Sequence, residues 1–386
     1  MATYAGGSGT SADPYQIATW EHLWNVRDNL TDEFVLVNDL NERTNGYDKY
    51  AADDANLGDG FRPIGNFNDP AIFEGVFDGN GHEIADINID GTRLSKNTGI
   101  FAAVSGEIKN LSVSNASIVS NTSAGVLCAA LGLGGTVENC FVSGTIQSSG
   151  IAGGLFGVTA QSSFTFKNCW ANVDIEGYDG NNPTTVGGLG GELAYGDVVN
   201  CYAVGRVTSS ATNVGGLIGN RNESTSPTIT DCYFDTQTTT QSVGVGDGSD
   251  SGTTGLTTSE MTGNDASTNM GAFDFSSVYA VSIDSSVDIK QDAYPYLEQA
   301  SRAAQLRSQD GVFGVDVTDW YDFDELRNAQ SAPFTLQNDL TPTTAGYSDV
   351  AGGGANTGDG FEPIQQFDGR LDGDPAVVLI DLERVL

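Results

Sequence analysis

The scarcest reactive side chains in this 386-residue sequence are two histidines and five cysteines, and their spacing narrows what they can do. His82-Glu83 opens like the His-Glu-x-x-His helix of zinc peptidases, but Asp86 stands where the second histidine ligand belongs. The surrounding residues also read as a strand after a Gly-rich turn, so that chemistry is excluded. His22 falls on a short amphipathic segment and reads as structural. The cysteines form no Cys-x-x-Cys pair of the kind that holds zinc. Instead Cys140, Cys169, Cys201 and Cys232 share one position with Leu111 in a recurring phrase. A slot that also takes leucine wants a small buried hydrophobe, so these residues are expected to form a core ladder. Cys128 reads as core too. Neighbouring thiols would lie within reach of a disulfide, though nothing in the spacing requires one.

Paired carboxylates could cleave glycosidic bonds, and Asp174 with Glu176 or Asp78 with Asp86 are conceivable pairs. With 51 acidic residues in the chain, such proximity arises by chance, and no catalytic residue is assigned. The run Asp247-Gly248-Ser249-Asp250-Ser251-Gly252 partly matches a calcium loop but lacks the terminal glutamate. Asp247 and Asp250 are therefore the metal candidates, with a solvated loop as the default reading. No cofactor is implied beyond calcium or another cation. Asn-x-Ser/Thr triplets at Asn29, Asn110, Asn115, Asn121 and Asn222 permit glycosylation.

Charge constrains the setting. Asp plus Glu outnumber Lys plus Arg by 51 to 16, a formal net charge of −35. Self-repulsion on that scale destabilises a compact chain in dilute salt, and halophiles are the recognised users of it. At molar salt the Debye length falls to roughly 3 Å, which screens the repulsion. The acid is spread along the chain and not gathered into ligand loops, so the surface reads as salt-adapted. Phosphate-mediated nucleic-acid binding is excluded by the same balance. There is no apolar run of transmembrane length, so no membrane insertion is expected. The N-terminus shows neither a basic nor an apolar leader region, so no export signal is expected.

The elements that would position these residues come from repeats. A glycine phrase recurs as Gly99-Ile100-Phe101, Gly125-Val126-Leu127, Gly153-Gly154-Leu155-Phe156-Gly157, Gly187-Gly188-Leu189-Gly190 and Gly215-Gly216-Leu217-Ile218-Gly219. Each is followed by a second phrase: Ile108-Lys109-Asn110-Leu111, Val137-Glu138-Asn139-Cys140, Phe166-Lys167-Asn168-Cys169, Val199-Asn200-Cys201 and Ile229-Thr230-Asp231-Cys232. The Asn or Asp position returns about every 30 residues, the signature of a solenoid. The phrases are short alternating runs bounded by Gly, Asn and Ser, which predicts strands and no helix between Gly99 and Asp235. Stacked coils would put the Asn at a turn.

Residues 13 to 90 differ. Trp20, Leu23, Trp24 and Leu30 predict a short amphipathic helix, and Phe34 to Leu40 a strand. The same order returns at an offset of 300: Trp320, Phe323 and Leu326, then Phe334 to Leu340, Gly346-Tyr347 and Gly358-Asp359-Gly360-Phe361. Phe367 to Gly373 then echoes Phe73 to Gly79. The expected division is 1–90, cap and first coils; 91–235, repeats; 236–300, a long polar loop and closing segment; and 301–386, a truncated second copy of the opening module. A plausible helix from Leu297 to Arg307 would link the parts. Open solenoid ends expose unpaired edges, so the second copy is read as a cap or a docking and oligomerisation element.

The phrases resemble the GLUG-motif proteins, through Gly216-Leu217-Ile218-Gly219, Asp13-Pro14-Tyr15-Gln16-Ile17, the run from Phe77 to His82, and Tyr294-Pro295-Tyr296-Leu297. The likeness covers roughly residues 8 to 300. It implies an all-β fold, a right-handed parallel β-helix with a short capping helix and a small C-terminal α+β or β module. It also implies surface or secreted proteins, including adhesins and the non-catalytic region of immunoglobulin-A-cleaving metallopeptidases, and it carries no catalytic residue. Fold alone does not settle function. With no leader visible, the first functional expectation is a non-enzymatic virion surface protein of a halophile's virus: a spike, turret or tail fibre. Its expected partners are itself as a homo-oligomer, with a trimer as the guess, other virion proteins, and host surface glycan or glycoprotein. The alternatives are a cellular adhesin or cell-wall protein of a halophile and a polysaccharide-cleaving β-helix enzyme.

Overall fold

The computed structural model describes residues 3–309, apart from 66–71, 93–96, 133, 162–163, 179–184, 211, 282–293, 302–303 and 306–307. Beyond these it describes Tyr347 and three short strands.

Alternating runs broken by turns give short strands, and these stack into a parallel β-solenoid of about five turns. Three long sheets form its sides. The first has eight strands, from Tyr15–Ile17 through Val76–Asp78, Glu107–Lys109 and Thr136–Glu138 to Thr228–Thr230. The second has nine, among them Ser112–Ser120, Phe141–Ser148, Trp170–Gly177 and Cys232–Asp235, ending at Thr253–Leu256. The third has six, from Phe101–Val104 to Val245–Asp247. A narrow strip of Ile151–Gly153, Thr185–Gly187 and Asn213–Gly215 lies between the second and third.

Register is set by burial. Phe77, Ile108, Val137, Phe166, Val198 and Ile229 fall on one line of the first sheet, all buried, while their sequence neighbours point outward. A one-residue slip would turn that whole line into water. The corner after each of the last five strands, from Glu107–Lys109 onward, is made by Asn110, Asn139, Asn168, Asn200 and Asp231, with φ of 52, 53, 51, 52 and 52°. That left-handed corner suits Asn and Asp, whose short polar side chains offset the Cβ penalty. The glycine phrase has a steric cause. A methyl added at Gly188 would run into the Gly216 carbonyl and the Ala203 methyl, so the chain can cross there only without a Cβ.

The predicted helix spans Trp20–Asn25 and continues as a 3-10 turn, Val26–Asp28. The Thr19 hydroxyl caps it, accepting from the His22 N–H at 3.3 Å. Trp20, Leu23 and Val26 join the same apolar core as the coils, so the helix covers the opening end of the stack.

Two segments differ from the sequence expectation. The stretch read as a long polar loop from residue 236 instead continues the stack through Val245–Asp247 and Thr253–Leu256. Helices Thr258–Met261 and Gly263–Asn269 follow, the first with a full capping box from Thr257 and Glu260. Ser, Thr and Gly dominate there because the coil edge needs turns, not because the chain leaves the fold. In place of a helix beginning at Leu297, Tyr296–Leu297 pairs antiparallel with Tyr279–Ala280, and helical turn begins only around Ala304 and Gln305.

In the C-terminal copy, Val315–Val317, Phe334–Leu336 and Leu371–Gly373 pair in parallel. Val315, Phe334 and Leu371 stand in one line, as Tyr15, Phe34 and Phe77 do in the opening module. The rest of the copy, including Trp320, Phe323, Leu326 and Gly358 to Phe361, lies outside the described residues.

Candidate functional site

Inside the stack, Leu111, Cys140, Cys169, Cys201 and Cys232 are all at 0% exposure, as is Cys128. The Cys169 N–H lies 3.4 Å from the Cys201 sulfur, and the Cys201 N–H 3.5 Å from that of Cys232. All five cysteines are free thiols. Each ladder thiol donates back to the carbonyl two residues earlier, at 3.2 to 3.3 Å. Burial pushes the thiols of Cys128, Cys140 and Cys201 well up. At Cys169 burial pushes the same way, while hydrogen bonds with Cys140 and Cys201 pull down, towards about 5. A thiolate sealed in an apolar core at 0% exposure is disfavoured, so we assign neutral thiols along the ladder.

The corner amides make a second ladder. Asn110 donates to Asp78 Oδ1 (3.1 Å), Asn139 to Asn110 (3.2 Å), Asn168 to Asn139 (3.1 Å) and Asn200 to Asn168 (3.5 Å). Every donor points towards the N-terminal end, where the Asp78 carboxylate receives the last bond.

The carboxylates that the sequence offered for chemistry each have hydrogen-bond partners in the fold. Asp78 also accepts from the Asn80 N–H at 2.8 Å. Asp86 accepts from the Asn115 amide at 2.8 Å and, at 3.5 Å, from the Glu42 N–H. Asp174 and Glu176 point outward on one strand; Asp174 accepts from the Arg206 N–H and Glu176 from the Gln147 amide. His82 Nδ1 sits 2.9 Å from Asp39 Oδ1, and Glu83 is buried with the Ser114 hydroxyl donating to it. His22 is held neutral: burial lowers its pKa, against the opposing pull of Glu21, and its Nδ1 accepts from the Ala18 N–H at 3.2 Å. In the candidate calcium loop, Asp250 Oδ1 accepts from the Val245 N–H and the Thr253 hydroxyl, so it caps a turn. Asp247 is exposed at the strand end. Among the described residues no three His, Cys, Asp or Glu converge as a metal site.

Outside the stack, the second sheet has two faces end to end. Its first half carries Phe141, Trp170, Tyr202 and Tyr233, in register on successive coils. Trp170 stacks on Tyr202 at 4.9 Å and 11°, and Phe141 lies 4.3 Å from Trp170. These rings are buried under Met261, Phe273, Tyr279, Tyr294 and Leu297. The cover is pinned by polar bonds. Tyr294 OH donates to the fully buried Asp235 at 2.6 Å, Trp170 Nε1 to Gln305 at 2.8 Å, and Tyr279 OH to the Asn200 carbonyl at 2.7 Å. Sequence reasoning missed this ladder although its signal was present. Each ladder cysteine is followed at once by an aromatic, and in a strand the residue after an inward one points outward.

The second half of the same sheet is bare and polar. Ser117, Thr145 and Asp174 share one outward line; Gln147, Glu176 and Thr208 share the next. At its far edge a shallow groove is lined by Glu176, Gly177, Tyr178, Thr208, Ser209 and Ser210. Tyr178 is 40% exposed; Val37, Leu57 and Val243 are the other large apolar side chains standing out among the described residues, so it is the aromatic one.

With this geometry in place, known proteins can be compared. Residues 182–208 match the GLUG motif. The matched stretch contains the Gly187-Gly188 crossing and the Asn200-Cys201 corner. Over 235 residues, 58% of its length, the chain is 32% identical to halomucin of Haloquadratum walsbyi (strain DSM 16790 / HBSQ001). It spans only 2% of the length of halomucin. Among solved structures, a Bacteroides ovatus protein with a proposed assignment as an immunoglobulin A1 protease superposes with a TM-score of 0.52 at 25% identity, covering 60% of this chain and 68% of the other. The chain is thus a GLUG-bearing β-helix with a relative in a halophile.

Proposed function

We propose that this chain is a surface-displayed, adhesin-like and non-catalytic β-helix of a halophile, one segment of an extracellular protein. The observation that carries this reading is the 32% identity to halomucin, in a chain whose −35 net charge suits molar salt. The inward thiols and the cross-coil amides support the scaffold part of this reading. The likeness to the protein named as a protease is one of fold, and fold alone does not assign an activity. Contact with envelope glycans and self-association belong to the same proposal.

The virion surface protein expected from the sequence has no observation in its favour, and the halomucin likeness supports the cellular alternative. Antibody raised against the chain should label intact producing cells in molar salt. Label appearing only after lysis would overturn the surface reading. Label on purified virions but not on cells would restore the virion one.

A further inference from the structure

We propose that the groove beside Tyr178 binds a neutral glycan chain, with the Tyr178 ring as the stacking platform. The inference rests on the surface reading for its setting and deepens it by naming the ligand class. Two observations on this coil converge. The first is Tyr178, which stands 40% exposed while the aromatic ladders of the molecule are covered. The second is the lining: hydroxyls of Thr208, Ser209 and Ser210 on one side and the Glu176 carboxylate on the other.

That set fits a sugar. An apolar pyranose face can lie on the phenol ring, and ring hydroxyls can donate to Glu176 and exchange bonds with the hydroxyl row. Thr208 donates to the Ile175 carbonyl at 3.2 Å, which leaves its oxygen turned for accepting. An anionic glycan would meet Glu176 and Asp174 on one outward face of the strand, so the uncharged class is favoured. Recognition by stacking and neutral hydrogen bonds also survives molar salt, where charge-based recognition is screened to roughly 3 Å.

The test is titration of the purified full chain in molar KCl with a panel of neutral hexose oligosaccharides, followed by calorimetry. At least one should bind, and Tyr178→Ala should weaken it about tenfold or more, as expected for loss of a ring contact plus its buried area. Thr208→Val should weaken it less. Tyr178→Ala should keep the wild-type melting temperature, because that side chain stands out at the surface; Thr208→Val, which also gives up the bond to the Ile175 carbonyl, should stay folded under the titration conditions. Binding should hold between 1 and 4 M KCl, concentrations at which the Debye length is about 3 Å or less. The proposal is overturned by no binding across the panel, by binding indifferent to Tyr178→Ala, or by binding that needs added calcium and not Tyr178. Because this reads the isolated chain, its failure leaves the cell-surface labelling result untouched, and the converse also holds.

Discussion

At the scale of single residues, the corner asparagines do two jobs that no other residue combines. Asn139 holds φ at 53° and joins its amide to those of Asn110 and Asn168. Asn139→Ala should lose both, leaving the Asn110 amide oxygen and the N–H of the buried Asn168 amide without that partner, and an alanine in the left-handed region. The expected cost is about 2–4 kcal/mol. Asn139→Gly keeps the backbone and should cost clearly less. Thermal melts of the two variants decide it; equal losses would mean that the amide ladder alone matters. The thiols make a second residue-scale prediction. Cys128, Cys140 and Cys201 have their pKa raised by burial, and so do Tyr202 and Tyr279. A group whose folded pKa is raised contributes stability that is present below its unfolded pKa and lost as pH climbs towards the folded one. For the thiols that window opens near 9 and for the tyrosines near 10. Stability should therefore be flat to about pH 8 and then fall, by up to about 1.4 kcal/mol per group per pH unit. Native chain should resist iodoacetamide at pH 8, and all five cysteines should alkylate once it is unfolded.

At the scale of elements, the cover over the outer aromatic ladder is a structural part of the coil stack. Residues 294–309 touch the last coil through Asp235, the middle coils through Trp170 and Tyr202, and an early coil where Ser112 donates to the Ser301 carbonyl at 3.4 Å. One segment therefore ties coils that otherwise contact only their neighbours, against the nearest-neighbour rule of solenoids. Tyr294→Phe removes the phenol that donates to the buried Asp235 carboxylate, a charge-assisted bond worth about 1.5–3 kcal/mol. The variant should melt lower by that amount and should show Trp170 emission shifted red as the cover loosens. An unshifted spectrum with a normal melt would show that the cover is held by its apolar contacts alone.

At the scale of the whole molecule, charge and core pull in opposite directions. A continuous apolar core runs from Ile17 to Val245, while the surface carries the net −35. Among the described residues the ion pairs include Lys109–Glu107, Lys167–Glu138 and Arg221–Glu223, whose carboxylates are half-buried or exposed. Pairs of that kind contribute about 0–1 kcal/mol each. Screening by salt must supply the rest, so the melting temperature should rise steeply between 0.1 M KCl, where the Debye length is about 10 Å, and molar KCl, where it is about 3 Å. Urea titrations at both salt levels would check this, and a midpoint independent of salt would remove the halophilic reading of the surface.

The period of the repeats, the inward slot shared by Leu111 and the cysteines, the Asn corners and the opening helix were all legible in the chain order. Each depends on alternation or on backbone freedom, which are local properties. Three things were not local. The final coil hid in a Ser/Thr/Gly stretch because its strands, Val245–Asp247 and Thr253–Leu256, take their pairing from the coils before them. The outward aromatics gave a signal, but their cover comes from residues far along the chain such as Phe273, Tyr279 and Tyr294, and no spacing rule connects Trp170 to Gln305. The groove sets Glu176 and Tyr178 beside Thr208, Ser209 and Ser210 of the next coil, residues that only stacking makes neighbours. Sequence alone determined what each coil is; only the tertiary structure decided what lies across several coils at once, because contacts between distant segments are fixed by packing and not by period.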